Sequence, residues 1–295
     1  EKQQKLTTRS VKGIFFGCKM LDDGDIAIVG SNNGQIFAEK FNLAEGKSIT
    51  TCSIASEFLS PEVNRAILYT RPDQPHALYL SLYSYVRRKE YSGVFKINWQ
   101  AKSIIGTTIQ LNKDYGELIR DQNPRAEPLK KSVDNLKPVI LTSYGDKTVL
   151  LSEVYETIAS GNDSRMTVKY YYKQMVLSVY DSLMRNTGNT IFDKWYVSFI
   201  SSGTTIGYQR SGENLHLFYN ITTGSGLSAE YLVIDLGKMT AVKREIIPQT
   251  GLEYDSHIEG GAIRWLDGAA LVPYYITSKK SRTKKWVTRY QKVAI

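Results

Sequence analysis

Cysteine is almost missing from this sequence, with only Cys18 and Cys52 present. That excludes a disulfide framework and a cysteine-rich zinc site, while fitting either a reducing or an oxidising compartment. Histidine is nearly as scarce. His76, His216 and His257 lie far apart, so no pair of neighbouring imidazoles is on offer for a metal. No uncharged apolar run approaches the roughly 18–20 residues that a membrane helix needs, so no spanning helix is expected. Nor does the chain contain a GxGxxG, P-loop, GxSxG or HExxH pattern, and the nucleotide, acyl-transfer and zincin chemistries lose their usual support. No cofactor and no metal is expected. The chain begins at Glu1 without an initiator Met or a signal-like apolar core. We read it as a trimmed or mature product whose targeting segment has been removed.

Tyrosine, by contrast, is abundant: 20 residues against 9 Phe and 4 Trp. A ring with a polar tip suits half-exposed strand faces and contact surfaces. The formal charge is +9, which would allow an acidic partner. Much of that excess sits in one short stretch, 279-KKSRTKK-285, as Lys279, Lys280, Arg282, Lys284 and Lys285. A knob of this kind keeps a loop solvated or meets a partner more readily than it reads a duplex, and nucleic acid is not the expected ligand.

Internal repetition decides the fold class. Five copies share one order: a short strand, a turn, a strong strand, a loop, and one or two further strands. The first runs from 14-IFFGCKM-20 through 26-IAIVG-30 and 35-QIFAEKF-41 to 48-SITTCSI-54. Others begin at 65-RAILYT-70, 139-VILTSY-144, 204-TTIGYQR-210 and 262-AIRW-265, with first turns near Gly24, Pro75, Gly145, Gly212 and Gly268. Such aromatic-rich runs bounded by Gly, Asp, Asn and Pro read as strands and hairpins. Helical signals are confined to 55-ASEFLSPEVNRA-66 and parts of 112–137, and proline interrupts both. The reading is a single all-β domain over 1–295, a β-propeller of four-stranded blades with an insertion at about 112–138. Five blades are expected, with a six-bladed ring as the rival. The fifth copy stops after its third strand, and the spare N-terminal stretch 5-KLTTRSV-11 would close the ring by pairing there.

The run of apolar strand, Asp or Asn, short turn and second strand recurs in 97-INWQAKSI-104, 179-VYDSLMRNTGNTIFDKW-195 and 234-IDLGKMTAVKREI-246. It resembles the blade repeat of bacterial β-propeller proteins, especially uncharacterised secreted ones from Bacteroidota. The resemblance implies a propeller and an envelope or extracellular setting. It transfers no site residue, because a fold does not specify a function.

Among candidate sites, 253-EYDSHIEGG-261 stands first. Glu253, Asp255, His257 and Glu259 occupy alternate positions, which an extended chain presents on one face, and carboxylates with an imidazole suit a divalent ion or acid/base work. The repeats place this stretch in a connection between copies, and the flanking Gly251, Gly260 and Gly261 also allow a bent, solvated loop. Glycoside hydrolysis or lysis would need convergent acids, for which Asp146, Glu213, Asp255 and Glu259 are the candidates. The acidic turn 22-DDGD-25 lacks the ligand spacing of a calcium loop and reads as a hairpin turn. Cys18 and Cys52 fall on the first and last strands of one copy, too far apart to bond, and both are expected as buried free thiols. In 168-VKYYYKQM-175, Tyr170 and Tyr172 share one face, available to a partner or to packing.

No complete catalytic pattern emerges. The sequence is therefore read as a non-catalytic binding or assembly module of the bacterial envelope, in the periplasm or at the cell surface. It would be a subunit of an outer-membrane transport or secretion complex, with a protein partner and polysaccharide as a further ligand class. The alternative is a glycan-active hydrolase or lyase using acids in an axial funnel.

Overall fold

In a computed structural model of the chain, residues 13–55, 63–86, 88–123, 135–161, 167–198, 206–224, 226–247, 254–278 and 286–295 are described. Strands dominate, and they group into five antiparallel sheets. The first contains β1 (Ile14–Met20), β2 (Ile26–Asn32), β3 (Gln35–Asn42) and β4 (Lys47–Ala55) in sequence order. The second repeats that meander with β5 (Val63–Thr70), β6 (Ala77–Val86), β7 (Lys89–Asn98) and β8 (Ser103–Gln110). Helix α1 (Lys113–Gln122) follows. The third sheet holds β9 (Leu136–Tyr144), β10 (Lys147–Ser160), β11 (Thr167–Tyr180) and β12 (Asn186–Ser198). The fourth holds β13 (Gly207–Ser211), β14 (Asn214–Thr223), β15 (Gly226–Asp235) and β16 (Thr240–Ile246).

Tight turns carry the meander where the sequence places them. Gly145 (φ +54°) and Gly212 (φ +57°) open the β9–β10 and β13–β14 hairpins in the left-handed conformation that a side chain disfavours. The acidic turn 22–25 is likewise a hairpin turn, and Lys40 binds both Asp23 and Asp25 across it. Burial pushes the Asp23 carboxyl up, but hydrogen bonds from Lys40 and from the Asp25 N–H outweigh this and hold it below its usual range.

The chain divides into two compact units, Glu1–Glu153 with Val176–Asn189, and Val154–Met175 with Thr190–Ile295. Within the first, sheets pack face to face. Alternation along 77-ALYLSLY-83 sends Leu78, Leu80 and Leu82 to a core shared with Ala27, Val29, Ile36 and Ala38 of the first sheet. The intervening Ala77 and Tyr79 join Leu141, Leu150 and Tyr180 of the third. A strand buried on both faces has no polar side to show, so its second face is filled by rings whose hydroxyls find partners. Tyr79 donates to Gln74 Oε1 at 2.6 Å, and Tyr69 meets Ser143 at 3.1 Å. First strands of successive sheets are neighbours here. Leu68 of β5 lies against Gly17 of β1, and Arg71, just after β5, donates to the Gly145 carbonyl at 2.6 Å.

Local detail sharpens two elements, and one expectation changes. The helical signal within 112–137 is realised as α1, which is capped by Asn112, whose side chain accepts from the Tyr115 N–H, and which buries Tyr115 and Ile119. The β11–β12 turn spans 181–185, where Asp181 accepts from the Leu183 and Arg185 N–H groups. Cys18 is exposed rather than buried; Cys52 is buried, and both are free.

In the second unit, a core of Phe218, Ala229, Tyr231 and Val233 faces Ile258, Ile263, Ala270 and Val272 of the fifth sheet. That sheet corrects the placement of 253-EYDSHIEGG-261. Its residues form strand β17 (Tyr254–Ile258) rather than a connection between copies, followed by a 3-10 turn (Gly260–Ala262) and β18 (Arg264–Leu266). Both β17 and β18 pair with the long β19 (Ala269–Ser278), whose other edge takes β20 (Trp286–Ala294). The fifth copy's first strand is thus broken in two. The physical reason lies in Ile258, which is buried and held like a ladder residue: it donates to Asn220 Oδ1 at 2.7 Å and accepts from Asn220 Nδ2 at 3.0 Å.

Candidate functional site

The β6–β7 hairpin ends in a two-residue turn, with Val86 paired to Lys89 and Tyr85 to Glu90. Tyr83 and Tyr85 share one face of β6 by the two-residue period of a strand. Beside them come the end of β8, the cap of α1 and the start of β9. Together these elements form an open cleft of about 830 Å³ within the first unit, lined by Tyr83, Tyr85, Arg88, Lys89, Glu90 and Lys137, with Gln110, Leu111, Asn112 and Asn135 completing it.

Three cationic side chains therefore face one carboxylate. Glu90 is 9% exposed and accepts a hydrogen bond from the Asn135 N–H, while its own carbonyl accepts from the Leu111 N–H at 2.8 Å. It is a tether between sheets rather than a group poised on solvent. Lys137 Nζ lies 5.7 Å from the Tyr83 ring centre, a cation–π contact that steadies its stem. Tyr83 is buried, whereas Tyr85 leaves 41% of its surface exposed. Arg88 sits at φ +68°, a conformation in which glycine or asparagine is the low-cost choice for a two-residue hairpin. Lys102, Met184 and Met239 meet the same conformational cost in other turns. What separates Arg88 is that its side chain lines the cleft.

The sequence-derived site is placed only in part. Glu253 lies outside the described residues. Asp255 and His257 are opposite Thr277 and Tyr275 on β19, with their side chains outside the described set. Glu259, half-buried, begins the 3-10 turn, and its carbonyl accepts from the Ala262 N–H at 3.0 Å. Among the described residues no group of three or more His, Cys, Asp or Glu side chains could hold a metal ion. Lys279, Lys280, Arg282, Lys284 and Lys285 also fall outside the described residues. Asp146 and Glu213 occupy exposed hairpin turns. Tyr172 is buried, stacked 5.6 Å from Tyr196, and Lys194 is wedged 5.4 Å from its ring and 5.2 Å from that of Tyr219. Tyr170 is half-buried.

Sequence reasoning overlooked Arg88, Lys89, Lys137 and their tyrosine walls. One signal was present: the run 87-RRKE-90 sits where a hairpin turn would ordinarily carry Asn or Gly. A second overlooked group lies in the other unit, where buried His216 places Nδ1 2.7 Å from the Tyr231 hydroxyl. Burial lowers the His216 pKa, with Lys243 adding to the effect. Burial also pushes the Tyr231 hydroxyl up to about 12, with Glu245 contributing. Held neutral and enclosed by sheet packing, this pair has the character of a core contact.

No family model matches the sequence, and no curated protein matches it. Solved structures do align. Hydrazine synthase from Kuenenia stuttgartiensis is 10% identical, with a TM-score of 0.47, over 100% of this chain and 66% of that one. The Dos1 propeller is 9% identical, with a TM-score of 0.44, over 94% of this chain and 59% of that one. The β-propeller domain of the Trilobed protease from Pyrococcus furiosus is 10% identical, with a TM-score of 0.30, over 94% of this chain and 83% of that one.

Proposed function

We propose that this chain is a non-catalytic binding module whose ligand is anionic and docks in the cleft between the β6–β7 hairpin and the start of β9. The five meandering sheets are taken as the blades of a propeller. The observation that carries the reading is the charge pattern of the lining: Arg88, Lys89 and Lys137 against Glu90 alone, beside two tyrosine rings. Two-carboxylate glycan hydrolysis needs a second acid opposite the first, and among the described residues of the lining there is none. The extracytoplasmic setting implied by the blade-repeat resemblance belongs to the same proposal, as does membership of an envelope complex.

Immobilised polyanions and a neutral polymer, probed by surface plasmon resonance at rising salt, test this. Retention of the protein by the polyanions, weakening with salt and abolished by the double variant Arg88→Glu, Lys89→Glu, is the expected result. Equal retention of that variant would move the site elsewhere. Depolymerisation of any of these polymers, lost in Glu90→Gln, would overturn the non-catalytic reading.

A further inference from the structure

We infer that the cleft takes a carboxylated sugar ring of an acidic polysaccharide, with Arg88 clamping the carboxylate and Tyr85 carrying the ring. This rests on the anion-binding reading and narrows its ligand. Three features of the lining select the class.

The first is the nature of its apolar surface. An acidic peptide is anchored by aliphatic or aromatic side chains seated in closed pockets. Here the apolar lining consists of two tyrosine rings and Leu111, and Leu111 is buried with its N–H held by Glu90. An exposed tyrosine face offers a flat platform, which suits the C–H face of a pyranose rather than a branched side chain.

The second is the kind of charge. Arg88 presents a planar fork that matches a carboxylate in bidentate fashion, with Lys89 beside it as a point charge. A nucleic acid strand would want cations tracking several successive phosphates along a groove. The cleft concentrates its cations at one hairpin turn and one neighbouring strand, enough for one or two carboxylates. The amide side chains of Gln110, Asn112 and Asn135 complete the lining, and ring hydroxyls are their natural partners.

The third is conformational. At φ +68° the turn position of Arg88 favours glycine or asparagine. Lys102, Met184 and Met239 carry the same conformation away from the cleft, so it is the strain together with the place of Arg88 in the lining that points to its side chain being needed.

The test is titration calorimetry of the full chain with four probes: a uronate oligosaccharide, the neutral oligosaccharide of the same linkage, a poly-aspartate peptide and a single-stranded oligonucleotide. The uronate is expected to bind at least about tenfold more tightly than each of the others. Arg88→Lys, which keeps the charge but loses the fork, should weaken it by about tenfold. Tyr85→Ala should cost a similar factor of about ten, and the ring-preserving Tyr85→Phe should recover most of it. Arg88→Gly should abolish uronate binding while its thermal midpoint does not fall, which separates lost recognition from lost folding. Poly-aspartate or the oligonucleotide binding as tightly as the uronate, with Tyr85→Ala silent, would overturn the sugar assignment and leave the anion-binding reading standing. Uronate affinity untouched by Arg88→Lys would also overturn it. Failure of every anionic probe would remove both.

Discussion

Replacing Asn189 by alanine should loosen helix α1 from the third sheet and cost a readable amount of stability. Asn189 is 5% exposed, and its side chain joins four partners. Its Oδ1 accepts from Ser178 at 2.7 Å, from Asn186 at 3.2 Å and, at the limit, from Tyr115 of α1 at 3.5 Å. Its Nδ2 donates to Gln122 and Asn186, both at 2.9 Å. Alanine keeps none of these. Gln122 is exposed and Asn186 half-buried, so water can serve both at little cost. Buried Ser178 cannot be rescued in that way: it keeps its contacts with the Tyr115 and Tyr180 hydroxyls but loses its acceptor at 2.7 Å. Stranding a buried hydroxyl costs about 1–3 kcal/mol, and each neutral bond lost a further net contribution of about 0.5–1.5 kcal/mol. The total is about 2–4 kcal/mol, a large share of the roughly 5–15 kcal/mol that holds a domain folded. The Asn123 side chain still reaches the Asn189 carbonyl at 3.0 Å in the variant, so the helix should fray rather than unfold. Urea unfolding gives the global cost, and hydrogen exchange over 113–122 gives the local one. Adding Ser178→Ala removes the stranded hydroxyl, so the double variant should be less destabilised than the sum of the singles. A cost below about 0.5 kcal/mol for Asn189→Ala, or strict additivity in the double variant, would refute the network argument.

Three further outcomes follow from packing and burial. His216 is held neutral by burial, with Lys243 adding to the effect and the Tyr231 hydroxyl as its hydrogen-bond partner, so its folded pKa lies below the usual value of 6.5. The unfolded chain then binds the extra proton, and stability is fully present above about pH 6.5 and is lost as pH falls toward the folded value. Denaturation between pH 7 and 5 should show that loss, and His216→Gln should reduce it; an unchanged pH slope would sink the assignment. A Cβ on Gly106 would stand 2.2 Å from Phe95 Cδ1 and 2.7 Å from the Val94 carbonyl oxygen, whereas one on Gly224 would meet nothing. Gly106→Ala should therefore cost about 1–3 kcal/mol, and Gly224→Ala should stay within about 0.5 kcal/mol of the parent by thermal melting. Of the two thiols, Cys18 should react with a thiol reagent in the native protein and Cys52 only on unfolding, since Cys52 is buried and its thiol pKa raised. Two fast-reacting thiols would contradict the packing described for β4.

Local sequence settled most of the strand order. The Leu/Tyr alternation of 77-ALYLSLY-83 and the turn glycines Gly145 and Gly212 act over two to four residues, and the observed elements follow them closely. What it left open was set by partners distant in the chain. Alternation at 254–258 is the same in a strand and in an extended connection. The edge of β19, some twenty residues on, and the Asn220 side chain, nearly forty residues back, make it a strand. Helix α1, ten residues long and interrupted in its signal by later prolines, is too short to stand alone in water. It exists because Tyr115 and Ile119 are buried and Asn189 reaches its end.

The cleft belongs to the same class. Its residues run from Tyr83 to Lys137, with a hairpin, a strand end, a helix cap and a second sheet between them, and no local pattern joins them. Side-chain type and period determined which face each residue would choose, because those preferences are properties of a few neighbouring bonds. Only the folding together of distant segments decided which faces meet. Binding chemistry depends on that second step, and so Arg88 and Tyr85 became a site in the tertiary structure while 253-EYDSHIEGG-261 became, first of all, a strand.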